Sequence, residues 1–325
     1  MIEPGTHILQ WHITHRCNLR CSHCYQRDFS RELPAEQLCK VLGDYIAFLN
    51  GRSLHGQISL TGGEPLLHPA FFDLAEEIRR AGLSFSVLTN GTLLTEETAA
   101  RLARLGPVFV QVSLDGLRKN HEAIRGKGSF DRALMGIDTA KRHGLTVHVS
   151  FTAQHCNYRD LAGLSLLCRL HRVDKLWYDR VVIPKAEDNS RISLIGEEFD
   201  SLCRSAGRLA KLRLVSCERA LQFQHCPGAK VYHCGAGGDL LVLLADGSVM
   251  PCRRLPFVIG NIREHSIEEI ISESPLMQEL REAPLPDGCK ICTKKELCRG
   301  GARCIALAQL SSWKEKDPGC RFRQP

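Results

Sequence analysis

The sequence predicts a partial (β/α)6 barrel followed by a small cysteine-rich α+β domain. Three observations lead there. Strand-like and helix-like segments alternate through the first two thirds in about six units with short links, the pattern of a parallel sheet covered by helices. Six units fall short of the eight of a closed barrel, so the sheet should stay open, with its chemistry at the carboxyl ends of the strands. Near residue 215 the texture changes: cysteines gather, helical stretches shorten, and Gly and Pro become frequent. The expected domains are therefore 1–215 and 216–325.

The elements follow in order. Residues 8–14 read as a strand, and 35–50 as a helix with Leu38, Val41, Leu42, Tyr45 and Leu49 on one side. Strands are expected at 57–60 and at 83–89, the latter stopped by the turn pair Asn90-Gly91. The intervening helix, 69–81, ends at Gly82. A helix at 96–105, a strand at 108–114, a helix at 130–143 ended by Gly144, and a strand at 145–152 come next. The last unit is a helix at 158–171 and a strand at 175–183. Beyond the boundary, 239–249 has the form of a hairpin around Asp246-Gly247.

Composition narrows the function classes. Hydrophobic residues at 43% and charged residues at 24% describe a globular chain with a real core. Nothing in residues 1–16 resembles a signal peptide, and the apolar run 240–245 is too short to span a bilayer. A cytoplasmic location without a membrane partner is expected. In that reducing compartment disulfides are rare, so 16 cysteines point to metal. The formal charge of +7 would suggest an acidic partner such as nucleic acid, but it counts every cysteine as neutral. Cluster-bound thiolates would cancel most of that excess, and nucleic acid is disfavoured as a partner.

Directly after the first strand stands Cys17-x3-Cys21-x2-Cys24, followed by Tyr25. Three thiolates so close in sequence can wrap three irons of a cubane and leave the fourth iron open to a small molecule. The competing reading is a zinc site, with His15 or His23 as a further ligand. Thr61-Gly62-Gly63-Glu64-Pro65 follows the second strand, Asn90 ends the third, and Ser113 and Asp115 end the fourth. Arg125 stands in Ile124-Arg125-Gly126. No Gly-x-Gly-x-x-Gly loop is present to suggest a nicotinamide site.

This set resembles the radical S-adenosylmethionine (SAM) superfamily. The resemblance implies that Cys17, Cys21 and Cys24 hold a [4Fe–4S] cluster whose open iron is chelated by SAM. One electron then cleaves SAM to methionine and a 5′-deoxyadenosyl radical that abstracts hydrogen from a substrate. It implies further that Tyr25, Gly62, Gly63, Glu64, Asn90, Ser113, Asp115 and Arg125 contact SAM. In that reading Glu64 partners the amino group, Ser113 and Asp115 reach the ribose, and Arg125 pairs with the carboxylate.

In the C-terminal region, Cys234-x12-Gly247-x4-Cys252 and Cys289-x2-Cys292-x5-Cys298, with Arg299-Gly300-Gly301 and Asp317-Pro318-Gly319-Cys320, resemble the SPASM domain. The resemblance runs from about residue 8 to 320 and implies two auxiliary [4Fe–4S] clusters. One would be held by Cys226, Cys234, Cys252 and Cys304, the other by Cys289, Cys292, Cys298 and Cys320. One position departs: the family's cysteine three residues past Cys298 is Ala302 here, and Cys304 is expected to take its place. Without the N-terminal motif, the same spacing would also suit a zinc ribbon.

Of the remaining cysteines, Cys39 and Cys168 sit in apolar helix patterns and are expected in the core. Cys156 lies just past a strand end, where it could donate a hydrogen atom to a substrate radical. The expected function is radical modification of a peptide or protein: a crosslink, an oxidation or an epimerisation, in the maturation of a ribosomally made peptide. The alternatives are tailoring of a small cofactor such as a modified tetrapyrrole and, more remotely, a non-catalytic metal protein that binds nucleic acid. A low-potential electron donor such as flavodoxin or ferredoxin is expected as a partner; because the chain begins almost at the first strand, substrate recognition is expected to use the barrel mouth, the cysteine-rich domain or a separate substrate-recognition protein.

Overall fold

A computed structural model of the chain describes residues 5–25, 32–182, 192–194, 196–211, 216–217 and 234–320. Six β/α units lead: β1 (Thr6–Thr14), α1 (Ala35–Gly51), β2 (His55–Gly62), α2 (Phe71–Arg80), β3 (Ser84–Thr89) and α3 (Glu96–Leu105) are the first three. Then come β4 (Val110–Ser113), α4 (Arg118–Arg125), α5 (Ser129–Arg142), β5 (Val147–Ala153), α6 (Leu161–Leu170), β6 (Lys175–Arg180) and α7 (Gly196–Lys211). The C-terminal region adds β7 (Ser216–Cys217), β8 (Leu240–Leu243), β9 (Ser248–Met250), β10 (Gly260–Asn261), α8 (Ile267–Glu273), α9 (Pro275–Glu282), α10 (Lys295–Cys298) and α11 (Arg303–Leu310).

All strands join one sheet in the order β10-β9-β8-β1-β2-β3-β4-β5-β6-β7, parallel from β8 to β7. Successive residues of a strand point to opposite faces, and here the two faces differ. Leu9, Ile58, Leu60, Phe85, Val87, Val110, Val112, Val149 and Phe151 are buried and belong to the core under the helices. The residues between them are polar: Ser59, Ser86, Gln111, Ser113, Ser150 and Thr152. A sheet covered on one side only needs such a polar second face, and that face leads to the site.

Local signals explain the helices that match expectation best. The Thr95 side chain accepts from the Thr98 backbone N–H at α3's start, and Gly106 closes its end at φ +62°. On α1, Leu38, Val41, Leu42, Tyr45, Phe48 and Leu49 are all buried. Cys168 is buried as expected, whereas Cys39 is exposed, since α1 turns that side to water.

Two features depart from the sequence reading. Helix α4 was not anticipated; it buries only His121 and Ile124, too few for an apolar stripe. The expected hairpin forms, but it is continuous with the barrel: β8 pairs in parallel with β1, Ile8 opposite Leu240 and Trp11 opposite Leu243. Without β8 the apolar strand β1 would be an open edge, an aggregation hazard. Ion pairs also tie the two regions together. Arg180 at the end of β6 pairs with Asp317, both almost fully buried, and Arg52 of α1 pairs with Glu268 of α8. Among the described residues, no helix is long and apolar enough to cross a membrane.

Candidate active site at the carboxyl edge of the sheet

The loop after β1 carries Cys17, Cys21 and Cys24. Its base is fixed by the exit of β2, where the Gly63 N–H donates to Thr14 O (2.8 Å) and the Glu64 N–H to Arg16 O (2.8 Å). A Cβ at Gly62 would sit 2.3 Å from Thr14 O, and one at Gly63 2.3 Å from Arg16 O. Both glycines are thus required by close chain-to-chain approach. Further along, the Ser22 N–H donates to Ile124 O (2.9 Å), which anchors the loop to α4.

The three thiols lie within one another's electrostatic reach: Cys17 feels Cys24, and Cys21 feels both. Burial pushes the Cys17 and Cys21 thiols up. Two donors oppose that push. Asn90 Nδ2 points at Cys17 Sγ (3.9 Å), and Arg125 Nη1 at Cys21 Sγ (3.9 Å). Asn90 is itself held by Asn18 Oδ1 (2.9 Å) and Thr92. Cys24 is exposed and the other two are partly exposed. Soft, convergent, accessible thiols with N–H groups aimed at two of them fit an iron–sulfur cluster held as thiolates.

Two acidic residues are buried beside the loop. Glu64 is fully buried, and its carboxylate accepts from Thr89 Oγ1 (2.8 Å), the Asn90 N–H (2.8 Å) and the Leu66 N–H (3.3 Å). Burial pushes its carboxyl up to about 7 against those donors. It ties β2 to β3. Asp115 is also fully buried. Its carboxylate accepts from Arg125 Nε (2.6 Å) and the Thr152 N–H (2.9 Å), with His23 Nε2 at 3.5 Å. Burial alone would raise it, but the Arg125 charge, helped by the Thr152 N–H, holds it below the usual carboxylate range. Asp115 therefore positions Arg125. Ser113 lies on the polar face of β4, opposite Ser150 of β5. Cys156 is exposed past the end of β5, its thiol pushed up by partial burial.

His23, one residue before Cys24, was missed as part of this network; only the fold brings Asp115 to it. Tyr25 is partly buried, with its hydroxyl 3.5 Å from His12 Nδ1 and the Arg253 guanidinium 4.9 Å from its ring centre. Arg253 gave no signal in the sequence beyond following a cysteine.

The C-terminal thiols fall into two groups. Cys304 is pushed up to about 12 by burial, with Arg254 opposing and Cys252 and Cys234 within reach. Cys226 lies outside the described residues. Cys298 is likewise pushed up to about 12 by burial, next to Cys320 and Cys289, and Cys289 also feels Cys292. Ala302, buried, stands just before α11, its N–H donating to Asp317 Oδ2 (3.1 Å), and Cys304 is the second residue of that helix. The helix start thus carries Cys304 toward Cys252 and Cys234. All seven described cysteines supply soft donors in two sets, and this chemistry fits clusters. Among the described residues, no His, Cys, Asp and Glu side chains converge tightly enough for a single metal ion.

Comparison with known proteins agrees with this arrangement. Residues 11–157 match the family model of the radical SAM superfamily, and 234–293 that of the SPASM iron–sulfur cluster-binding domain. The chain is 31% identical over 348 residues to the mycofactocin maturase MftC of Mycobacterium tuberculosis, covering 96% of this chain and 82% of that one. It is 29% identical over 354 residues to the pre-heme d1 synthase of Dinoroseobacter shibae, covering 96% and 85%. Its fold is similar to that of anSMEcpe solved with AdoMet and the Cp18Cys peptide, at a TM-score of 0.78 and 22% identity, covering 98% and 94%.

Proposed function

The chain belongs to the radical SAM superfamily, and from that premise we propose that it cleaves SAM reductively and uses the 5′-deoxyadenosyl radical to modify a peptide. The observation that carries the reading is the accessible trio Cys17, Cys21 and Cys24 at the end of β1. As an enzyme of this family it acts by radical chemistry with SAM and iron–sulfur clusters. A [4Fe–4S] cluster on the trio would supply the electron that splits SAM; two more on the C-terminal sets complete the proposed complement.

The chain's own residues prepare that step. Asn90 and Arg125 direct N–H groups at two sulfurs and so favour their thiolate form. Asp115, itself ionised and buried, fixes the Arg125 fork by its Nε and leaves Nη1 turned to Cys21. His12 and His121 are held neutral at ordinary pH, His12 near 3 and His121 near 4, in each case first by burial. They add no competing positive charge beside the loop. The polar face of β4 and β5, with Ser113, Ser150 and Thr152, offers hydroxyls to SAM or substrate. Cys156 keeps its S–H at neutral pH and is the proposed hydrogen donor; the proposed partners are a low-potential electron donor and a separate recognition protein.

Peptide modification is favoured because the 31% identical relative is a maturase and a structure of the same fold holds a peptide. A second reading, tailoring of a tetrapyrrole, rests on relatives named pre-heme d1 synthase, Fe-coproporphyrin III synthase and AdoMet-dependent heme synthase at 28–29% identity. The test is anaerobic incubation of reconstituted protein with SAM and reductant, beside either the peptide encoded by the nearest short open reading frame or coproporphyrin III. A mass change in the peptide supports the first reading, and one in the porphyrin alone replaces it with the second. Absence of 5′-deoxyadenosine rejects both.

A further inference from the structure

Three arginines meet at the seam between the barrel and the cysteine-rich region, and two are fully engaged. Arg125 is fixed by Asp115. Arg254 forks onto the Asp179 carboxylate and the Arg180 carbonyl at the end of β6. Arg253 differs. It shares a tight turn with Arg254, in which the Leu255 N–H donates to Cys252 O (2.9 Å), so the two side chains leave the turn separately. Its guanidinium lies over the ring of Tyr25, and its favourable partners are that residue and the Cys252 thiol. Among the described residues, no carboxylate pairs with it.

A guanidinium drawn partly out of water without a carboxylate is costly unless something charged arrives. Its neighbours do not provide it. His12, whose ring meets that of Tyr25 edge-on with centres 5.9 Å apart, carries no negative charge. Tyr25 supplies a ring face and a hydroxyl. The position is telling as well: Tyr25 follows Cys24, and Arg253 follows Cys252, so the guanidinium stands between the thiols of two proposed clusters.

We propose that Arg253 receives a carboxylate of the substrate at this seam. The assignment rests on the radical SAM reading. It goes to the substrate rather than to SAM because residues 11–157 carry the family's shared barrel, whereas Arg253 lies in the appended region matched at 234–293. Both substrate classes carry the chemistry: a peptide has its C-terminus and acidic side chains, and coproporphyrin has propionates. A planar fork engages a carboxylate through two parallel hydrogen bonds, which suits Arg and not Lys.

The test uses reconstituted holoenzyme and two probe pairs: coproporphyrin III against its tetramethyl ester, and the peptide of the nearest short open reading frame against its esterified, amidated form. Binding is read by calorimetry. The wild type should bind one acid form at least about 10-fold more tightly than its blocked form, the size of a charge-assisted hydrogen bond. Arg253→Gln should erase that preference and Arg253→Lys keep part of it, with iron content per chain confirming that both variants fold. The porphyrin and peptide arms tell the two sources apart. Equal binding of acid and blocked forms by the wild type, no binding of either acid, or discrimination surviving in Arg253→Gln overturns the proposal. So does a Gln variant that loses SAM affinity while keeping acid discrimination, which assigns the residue to SAM. Substrate-free SAM cleavage tests the family chemistry separately, so the two readings fail independently.

Discussion

Cys24 is exposed and Cys17 and Cys21 partly so, on one short loop, whereas in the C-terminal region Cys289, Cys298 and Cys304 are buried and Cys234, Cys252, Cys292 and Cys320 are partly exposed. The contrast extends to how the thiols are brought together. The barrel loop gathers its three from neighbouring residues and braces them from outside, with Asn90 after β3 and Arg125 on α4. The C-terminal region draws Cys234, Cys252 and Cys304 from far apart in sequence, with little core of its own beyond Leu255, Leu280, Ile305 and Trp313. An accessible, incomplete thiol set suits a cluster that must bind a small molecule. Sets drawn from distant segments suit clusters that hold the chain together, since closing long loops through metal contributes to folding.

The sharpest way to break this comparison is to replace Cys17, Cys21 and Cys24 together by Ala. SAM cleavage should fall to background while the C-terminal iron stays, read by 5′-deoxyadenosine and iron analysis. Intact protein should hold about eleven to twelve irons per chain, three cubanes with one labile corner. Cys304→Ala should lower that count and change the Mössbauer spectrum while SAM cleavage persists; full occupancy with unchanged spectra would make Cys304 a bystander and leave Ala302 uncompensated.

The ion pair between the regions ranks next. Asp317 accepts from Arg180, from the Ala302 N–H (3.1 Å) and from the Gly319 N–H (2.8 Å), with no exposure. Asp317→Ala removes a buried carboxylate from Arg180 and from the Ala302 and Gly319 N–H groups, and should cost about 3–5 kcal/mol in denaturant unfolding. A loss below about 1 kcal/mol would mean that the pair is hydrated and that the regions are held mainly by sheet pairing. The smallest effect is a pH slope. Glu64 has its carboxyl raised from 4.5 to about 7 on folding. Its contribution is fully present below pH 4.5 and is lost as pH rises through 7, up to about 3 kcal/mol in total. Glu64→Gln should flatten stability across that window, and an unchanged slope would assign it to other groups.

How legible all this was differs between the same two regions. The barrel could be read in order because each unit carries its own punctuation: Thr95 and Gly106 bracket α3, and alternation marks β5. Cysteine spacing showed the trio directly. Hidden from the sequence was which face a carboxylate takes. Glu64 and Asp115 stand beside glycines and strand ends, and their hydrogen bonds to backbone N–H groups and Arg125 are set by long-range packing alone. The union of β8 with β1 was hidden for the same reason: a parallel pairing across most of the chain leaves no local trace.

The central claim is that only the barrel trio leaves an iron open. The direct measurement is Mössbauer spectroscopy of 57Fe-reconstituted protein before and after addition of SAM. One iron site of one cluster should shift on binding, and the shift should vanish in the Cys17, Cys21 and Cys24 triple variant while the remaining spectrum is retained. A spectrum that SAM leaves unaltered, or a shift that survives in the triple variant, would contradict the account.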